Sequence, residues 1–274
     1  NRRKLALLKS SFVMPPPLDE SLAKELSEIQ STLRAMYGNG EYCFENNECF
    51  DLEGFEAIMD LSRNEDELLR AWSGWHEVGK PMKPLYLRMV EIGNKGSIDL
   101  GYDGLDDLWF SKYDMPKEEF LSDIDRVLDE VKPLYEALHC HVRDSLNKEY
   151  GDGIVSKTGP LPAHILGNMW GQSWSNIYDL VYKKPNDNNS IDVTKIINEK
   201  EIDEIEMVQI AENFFLSIGF DPLPNTFWDR SLFVKPQDRS VVCHASAWNL
   251  DSKNNDLRIK MCIEKNEEDF STIH

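Results

Sequence analysis

The chain has 274 residues, 41% of them hydrophobic, and a formal net charge of −19 at pH 7. That length supports one large core or two domains. So acidic a surface repels phosphate backbones, which argues against a nucleic-acid partner, and no apolar run approaches the roughly 18 residues a membrane helix needs.

The opening NRRKLALLKSSFVMPPP joins basic residues to an apolar patch too brief for a signal-peptide core. Residues 1–18 read as irregular, because Pro15, Pro16 and Pro17 stop a helix. From Asp19, a candidate N-cap, Leu22, Leu26, Ile29, Leu33 and Met36 recur at steps of four and three, the signature of an amphipathic helix that Gly38 and Gly40 end. Ser62-Arg63-Asn64-Glu65 fits a capping box ahead of a face carrying Leu68, Trp72, Trp75, Met82, Leu85 and Met89. Pro81 and Pro84 must kink or break that face.

Pro116 fits the first position of a long helix, with Glu118 and Glu119 placed well for its dipole. Its stripe is Phe120, Ile124, Val127, Val131, Leu134, Leu138 and Val142, with a kink expected at Pro133. His139, Cys140 and His141 form a metal-like string on paper. Neighbours on a helix point about 100° apart, so the three cannot converge on one ion. The segment GPLPAHILGNMWGQSWSNIYDL reads as a further helix opened by Gly159 to His164. Met207, Ile210, Phe214, Phe215 and Ile218 mark another, closed by Gly219, and Asn225 to Trp228 starts a short one.

The last stretch is SVVCHASAWNLDSKNNDLRIKMCIEKNEEDFSTIH. Val241 and Val242 precede Cys243 on one strand; Leu257, Ile259 and Met261 alternate with charge before Cys262 on a second. Folding about the polar turn Asp251 to Asp256 brings Cys243 opposite Cys262, and a bridge there closes a loop worth about 3 kcal/mol. Glu267, Glu268 and Asp269 then open a helix. Strands are few, so the fold class is mainly α with a small β-hairpin near the C-terminus. Cys43 and Cys49, six apart in a polar loop, join that pair in favouring an oxidising compartment over five reduced thiols. Asn188-Asn189-Ser190 is a glycosylation sequon.

VVCHASAW, RIKMC and EEDFSTIH closely resemble the angiotensin-converting enzyme family of zinc peptidyl-dipeptidases, as do RAWSGWHEVGKPMKPLY and GPLPAHILGNMWGQSWSNIYDL. The resemblance runs from about Met36 to His274. It implies one partial peptidase domain over residues 1–274, ending one residue before a His-Glu-x-x-His zinc motif, with the catalytic half as its partner. It implies bridges Cys43–Cys49 and Cys243–Cys262, leaving Cys140 free. It implies zinc and chloride in the complete enzyme, no catalytic group or metal ligand in this chain, peptide substrates, and an extracellular, secreted or membrane-anchored ectodomain. By the same resemblance His244 donates to a peptide carbonyl, the Ala245 and Ala247 backbones pair with an extended substrate, and Gln172 holds its terminal carboxylate. Glu268, Asp269 and Thr272 then match positions near the primed-side pockets. Tyr113 matches a chloride contact, against the alternative of a core tyrosine. His76 stands where many members carry a chloride-holding Arg; as a lone helical histidine it also reads as structural, and His164 reads as a cap-region residue. The other reading of the whole is a non-catalytic peptide- or protein-binding member of the same fold.

Overall fold

The computed structural model describes residues 3–4, 13–182, 191–239 and 241–274. The chain divides into two compact units, Asn1–Lys183 and Lys184–His274. The protein is mainly α, with two small antiparallel hairpins among the described residues.

In the first unit, residues 3 and 4 lie in helical backbone, whereas 13–18 are irregular. Helix α1 (Glu20–Gly38) starts where expected: the Asp19 side chain accepts from the Ser21 and Leu22 amides. Its buried Leu26, Ile29 and Leu33 pack with Ile92 of α4 (Met82–Asp99). The irregular segment lies tightly on the same helix. Trp109 Nε1 donates to Val13 O at 2.7 Å and Leu18 N to Asp99 at 2.7 Å. A Cβ at Gly96 would come within 2.0 Å of the Pro15 carbonyl, so only glycine fits there.

Strands β1 (Glu41–Cys43) and β2 (Cys49–Asp51) pair so that Cys43 faces Cys49, and these two form a disulfide. Helices α2 (Leu52–Leu61) and α3 (Glu65–Gly79) follow. The cap of α3 is Asn64, whose side chain accepts from Glu67 N; Ser62 instead donates to the Glu67 carboxylate. The expected box does not form: the cap lies two residues later, at Asn64, and Asn64 N donates to Ser62 Oγ and not back to the Glu67 carboxylate. The face drawn through Pro81 is two helices, broken at Lys80–Pro81; Pro84 sits harmlessly in the first turn of α4.

After α5 (Leu105–Phe110) comes α6 (Lys117–Tyr150), one helix running through Pro133, with Pro116 as its cap, not its first residue. Of its expected stripe only Val142 is buried, together with Leu146. Ile124, Val127, Val131, Leu134 and Leu138 are exposed, Leu134 to 74%. Phe55, Met59 and Leu68 close the core beneath the rooted end, joined by Ile165, Met169 and Ile177.

The segment from Gly159 departs most from the sequence reading. It is loop with two short 3-10 turns, Ala163–Ile165 and Ser175–Ile177, leading into α7 (Tyr178–Val181). Gly167 and Gly171 take φ of +72° and +63°, outside any right-handed helix.

The second unit holds α8 (Val193–Glu199), α9 (Glu204–Ser217) and α10 (Asn225–Arg230). Helix α9 opens on a capping box between Asp203 and Glu206 and closes before Gly219 at φ +96°. It buries Met207, Val208 and Ala211, while Ile210, Phe214 and Ile218 of the expected stripe stay exposed. Strands β3 (Ser246–Asp251) and β4 (Asp256–Lys260) pair antiparallel, ahead of α11 (Glu267–Ile273). Val241 and Val242 lie outside the strand, because the ladder begins only after the Cys243–Cys262 disulfide. Met261, Ile263, Phe227 and Phe233 form this unit's core with Met207.

Candidate functional site

The register of β4 fixes which way β3 faces. Leu232 N donates to Ile259 O at 2.9 Å and Met261 N to Leu232 O at 2.8 Å. The polar backbone groups of Ile259 and Met261 therefore point away from β3, and those of Arg258 and Lys260 point towards it. Ser246 faces Lys260 and Trp248 faces Arg258, so these carry the ladder bonds. Ala247, opposite Ile259, presents its N–H and C=O to the other edge. Among the described residues no further strand pairs with β3. Ala245 lies just before β3, outside the ladder.

His244 follows Cys243, whose bridge to Cys262 spans 4.9 Å between Cα atoms, with Cys262 N on Cys243 O at 3.4 Å. The imidazole is exposed and makes no hydrogen bond among the described residues. The bridge thus fixes the backbone while leaving the ring unused by the core. Beyond β4, the Asn266 side chain caps α11 at Asp269 N, and the Asp269 carboxylate accepts from Glu264 N at 2.6 Å. Asp269 thereby holds the entry turn. Glu268 is exposed, and the Thr272 hydroxyl donates to Glu268 O at 3.0 Å. His274 Nδ1 lies 2.8 Å from Phe270 O.

At the other end of this hairpin, Arg258 makes paired hydrogen bonds to Asp256, and Arg230 of α10 reaches the same carboxylate at 3.3 Å. Arg258 above all, then Arg230, holds the Asp256 carboxyl below its ordinary range.

In the first unit Gln172 is exposed on the loop between Gly167 and Asn176, and its amide makes no hydrogen bond among the described residues. Beside it Trp174 Nε1 donates to Gly171 O at 3.0 Å. Tyr113 is 55% exposed, its ring 4.4 Å from that of Phe120. It is not a core tyrosine. His76 stacks on Trp72 with centroids 4.0 Å apart and places Nδ1 2.7 Å from Trp72 O. His164 is buried, with Nε2 2.7 Å from Glu65 Oε1, and ties the loop to the start of α3. Cys140 is a free, exposed thiol, and His141 Nε2 lies 3.1 Å from Val181 O, so the His-Cys-His string does not converge. The sequon at Asn188 lies outside the described residues.

Asn176, Asp60 and Arg63 carry a network that local periodicity does not mark. Arg63 Nη2 donates to Asn176 O at 2.6 Å across 113 residues of sequence, and Asn176 Nδ2 donates to Asp60 Oδ1 across 116. The one local cue is a polar residue set directly before the buried Ile177.

The sequence model described as angiotensin-converting enzyme matches residues 1–274. The chain belongs to the angiotensin-converting enzyme family. It is 40% identical over 265 residues to the rabbit (Oryctolagus cuniculus) angiotensin-converting enzyme, covering 94% of this chain and 20% of the relative. The bovine (Bos taurus) enzyme is 39% identical over 265 residues, again with 20% of the relative covered. The angiotensin-converting enzyme-like protein Ace3 of Mus musculus is 38% identical over 275 residues, covering 99% of this chain and 36% of the relative. The chain thus spans about a fifth to a third of the length of these relatives.

The angiotensin-converting enzyme family implies zinc. Within either unit, the described residues bring three potential ligands within 4.8 Å only at Glu41, Cys43 and Cys49. Those two sulfurs are bonded to each other, and a disulfide offers no thiolate, so this group does not fit a zinc ion. No helix of the described residues is long and apolar enough to cross a membrane.

Proposed function

We propose that this chain supplies substrate-positioning surface to a zinc peptidyl-dipeptidase that releases dipeptides from peptide C-termini outside the cell. The observation that carries the reading is the open edge of β3, where Ala247 offers an N–H and a C=O to a peptide laid beside it. An extended peptide adds there as a further strand, and main-chain bonds fix its direction and register. The His244 ring, exposed beside a pinned backbone, donates to a substrate carbonyl near the bond to be cleaved. A preorganised donor at that point stabilises the negative charge that develops on the oxygen.

Gln172 donates its amide N–H₂ to the terminal carboxylate, a neutral donor that avoids burying a second charge. Glu268, Asp269 and Thr272 contribute beside the primed-side residues, Asp269 by holding the turn and Glu268 by exposed charge. Tyr113 contributes to chloride binding. Zinc ligands and the general base come from residues other than those present here, and zinc when bound supplies the activated water.

The test is dipeptide release by the complete catalytic domain, followed by mass spectrometry. Three substrates are compared: a free peptide, its C-terminal amide, and the peptide N-methylated at the amide facing β3. The free peptide alone should be cleaved efficiently. Equal rates for the N-methylated peptide would remove the strand-pairing role. Peptide binding without any cleavage would favour the non-catalytic, peptide-binding reading.

A further inference from the structure

We propose that Asn176 is a positioning residue that sets the loop carrying Gln172; the inference rests on the carboxylate-binding reading above. The loop from Gly167 to Asn176 is closed at its neck by one side chain. Asn176 Nδ2 donates to Gly167 O at 2.9 Å, joining residues nine apart. The same amide nitrogen donates to Asp60 Oδ1 on α2. The Asn176 backbone carbonyl is held in turn by Arg63 Nη2, which also reaches Asp179 at 3.0 Å. One residue therefore shuts the loop and moors it to the C-terminal end of α2.

The interior of the loop is built to depend on that closure. Gly171 N donates to Asn168 O and Trp170 N to Asn168 Oδ1, both at 3.0 Å. Met169 and Ile177 are buried, so the loop is rooted on both sides of Gln172 while Gln172 itself is exposed. Gly167 has φ +72°, and a Cβ there would meet the Asn176 Cβ at 3.0 Å. Neck and side chain are fitted to each other. A primary amide suits the position because both of its N–H groups donate; a carboxylate of the same shape would face Asp60 and a carbonyl with no proton to give.

The consequence is a specific kinetic signature. A loosened loop still carries Gln172, yet no longer holds it where a terminal carboxylate arrives, so discrimination between a peptide acid and its amide should fall. In the complete catalytic domain, Asn176→Ala should raise KM for the free-acid peptide about tenfold, the scale of one hydrogen bond to a charged group. KM for the C-terminal amide and kcat for both should stay within about twofold. Asp60→Ala should produce the same shift in smaller measure, and Asp60→Asn, which keeps the acceptor, should restore it. Gln172→Ala is the reference. If it abolishes the acid–amide preference while Asn176→Ala leaves it intact, the positioning role is wrong and the Gln172 reading stands. If Gln172→Ala itself leaves the preference unchanged, both fall. Should Asn176→Ala fail to fold, the contrast between Asp60→Ala and Asp60→Asn decides, and equal preferences in that pair would overturn the proposal.

Discussion

His244 is held by its neighbours and used by none of them. An exposed ring with no hydrogen bond among the described residues contributes little to folding, whatever it does for a ligand. In the complete domain, His244→Ala should therefore lower kcat/KM on the order of 10²-fold, the scale of one lost preorganised donor. The melting temperature should stay where it was. A structural histidine would show the reverse, about 1–3 kcal/mol of lost stability with kinetics intact. Asp256 makes a different prediction. Its folded carboxyl is held below the ordinary range by Arg258 and Arg230, so it stabilises fully above the unfolded value of about 4. That contribution is lost as pH falls through the lower folded value. The protection of the Leu257 and Arg258 amides, taken against the intrinsic exchange rate at each pH, should fall below about pH 4, and much less so in Asp256→Asn; protection that does not change with pH would remove Asp256 from this role. Single residues were legible where their partners are local. Asp19 caps its own first turn, and Cys243 meets Cys262 across a hairpin. Asn176 was not, because its acceptor Asp60 stands 116 residues away and no local pattern announces it.

At the scale of elements, β3 is a strand with one working edge and one spare. Proline at 247 should be tolerated, because the N–H it removes faces outward, while blocking any peptide laid alongside. Proline at 248 removes a ladder bond to Arg258 and should destabilise the hairpin by about 1–3 kcal/mol. Comparing denaturant unfolding with peptide affinity for the two variants separates the edges; equal loss of stability would contradict the register. Removing the Cys243–Cys262 bridge by Cys→Ser at both positions should cost about 3 kcal/mol, read from the same unfolding curves. Period alone gave α1 and α9 close to their observed bounds, since both follow steps of three and four and close near glycine. It failed over Gly159 to Val181. There, apolar residues at helical spacing were overruled by two glycines in left-handed backbone and by asparagine side chains replacing the helix ladder. It also began the last hairpin too early, because Val241 and Val242 have strand propensity but no ladder partner.

Large apolar side chains lie exposed in both units among the described residues. Ile124, Val127, Leu128, Val131, Leu134 and Leu138 lie bare along α6, and Phe214, Ile218 and Phe220 lie bare in the second unit. The stripe on α6 was legible as a stripe, but periodicity says only which residues share a face and nothing about what covers it. Surfaces of this extent drive association. The 274-residue chain should sediment as concentration-dependent oligomers despite its net charge of −19, and serine at Leu128, Leu134 and Leu138 should shift it towards monomer. A sharp monomeric boundary at all concentrations would show that the net charge alone keeps this face apart.

Helix α6 is also a beam resting on two supports. Near its start Phe120 rests on Phe110 and Tyr113, and near its end Val142 and Leu146 are set in the core. The free span ends sooner, at Tyr135 and His139, whose rings lie 6.4 and 6.1 Å from that of Trp174, so about 22 Å separates the supports at 1.5 Å per residue. Pro133 stands just short of that second support and cannot return a bond to the carbonyl of Asp129. Load applied to the bare face therefore bends the beam at one point beside its second support, and the stiff length before it swings about that point. Whatever comes to lie on that face meets a surface that changes its angle without changing its shape.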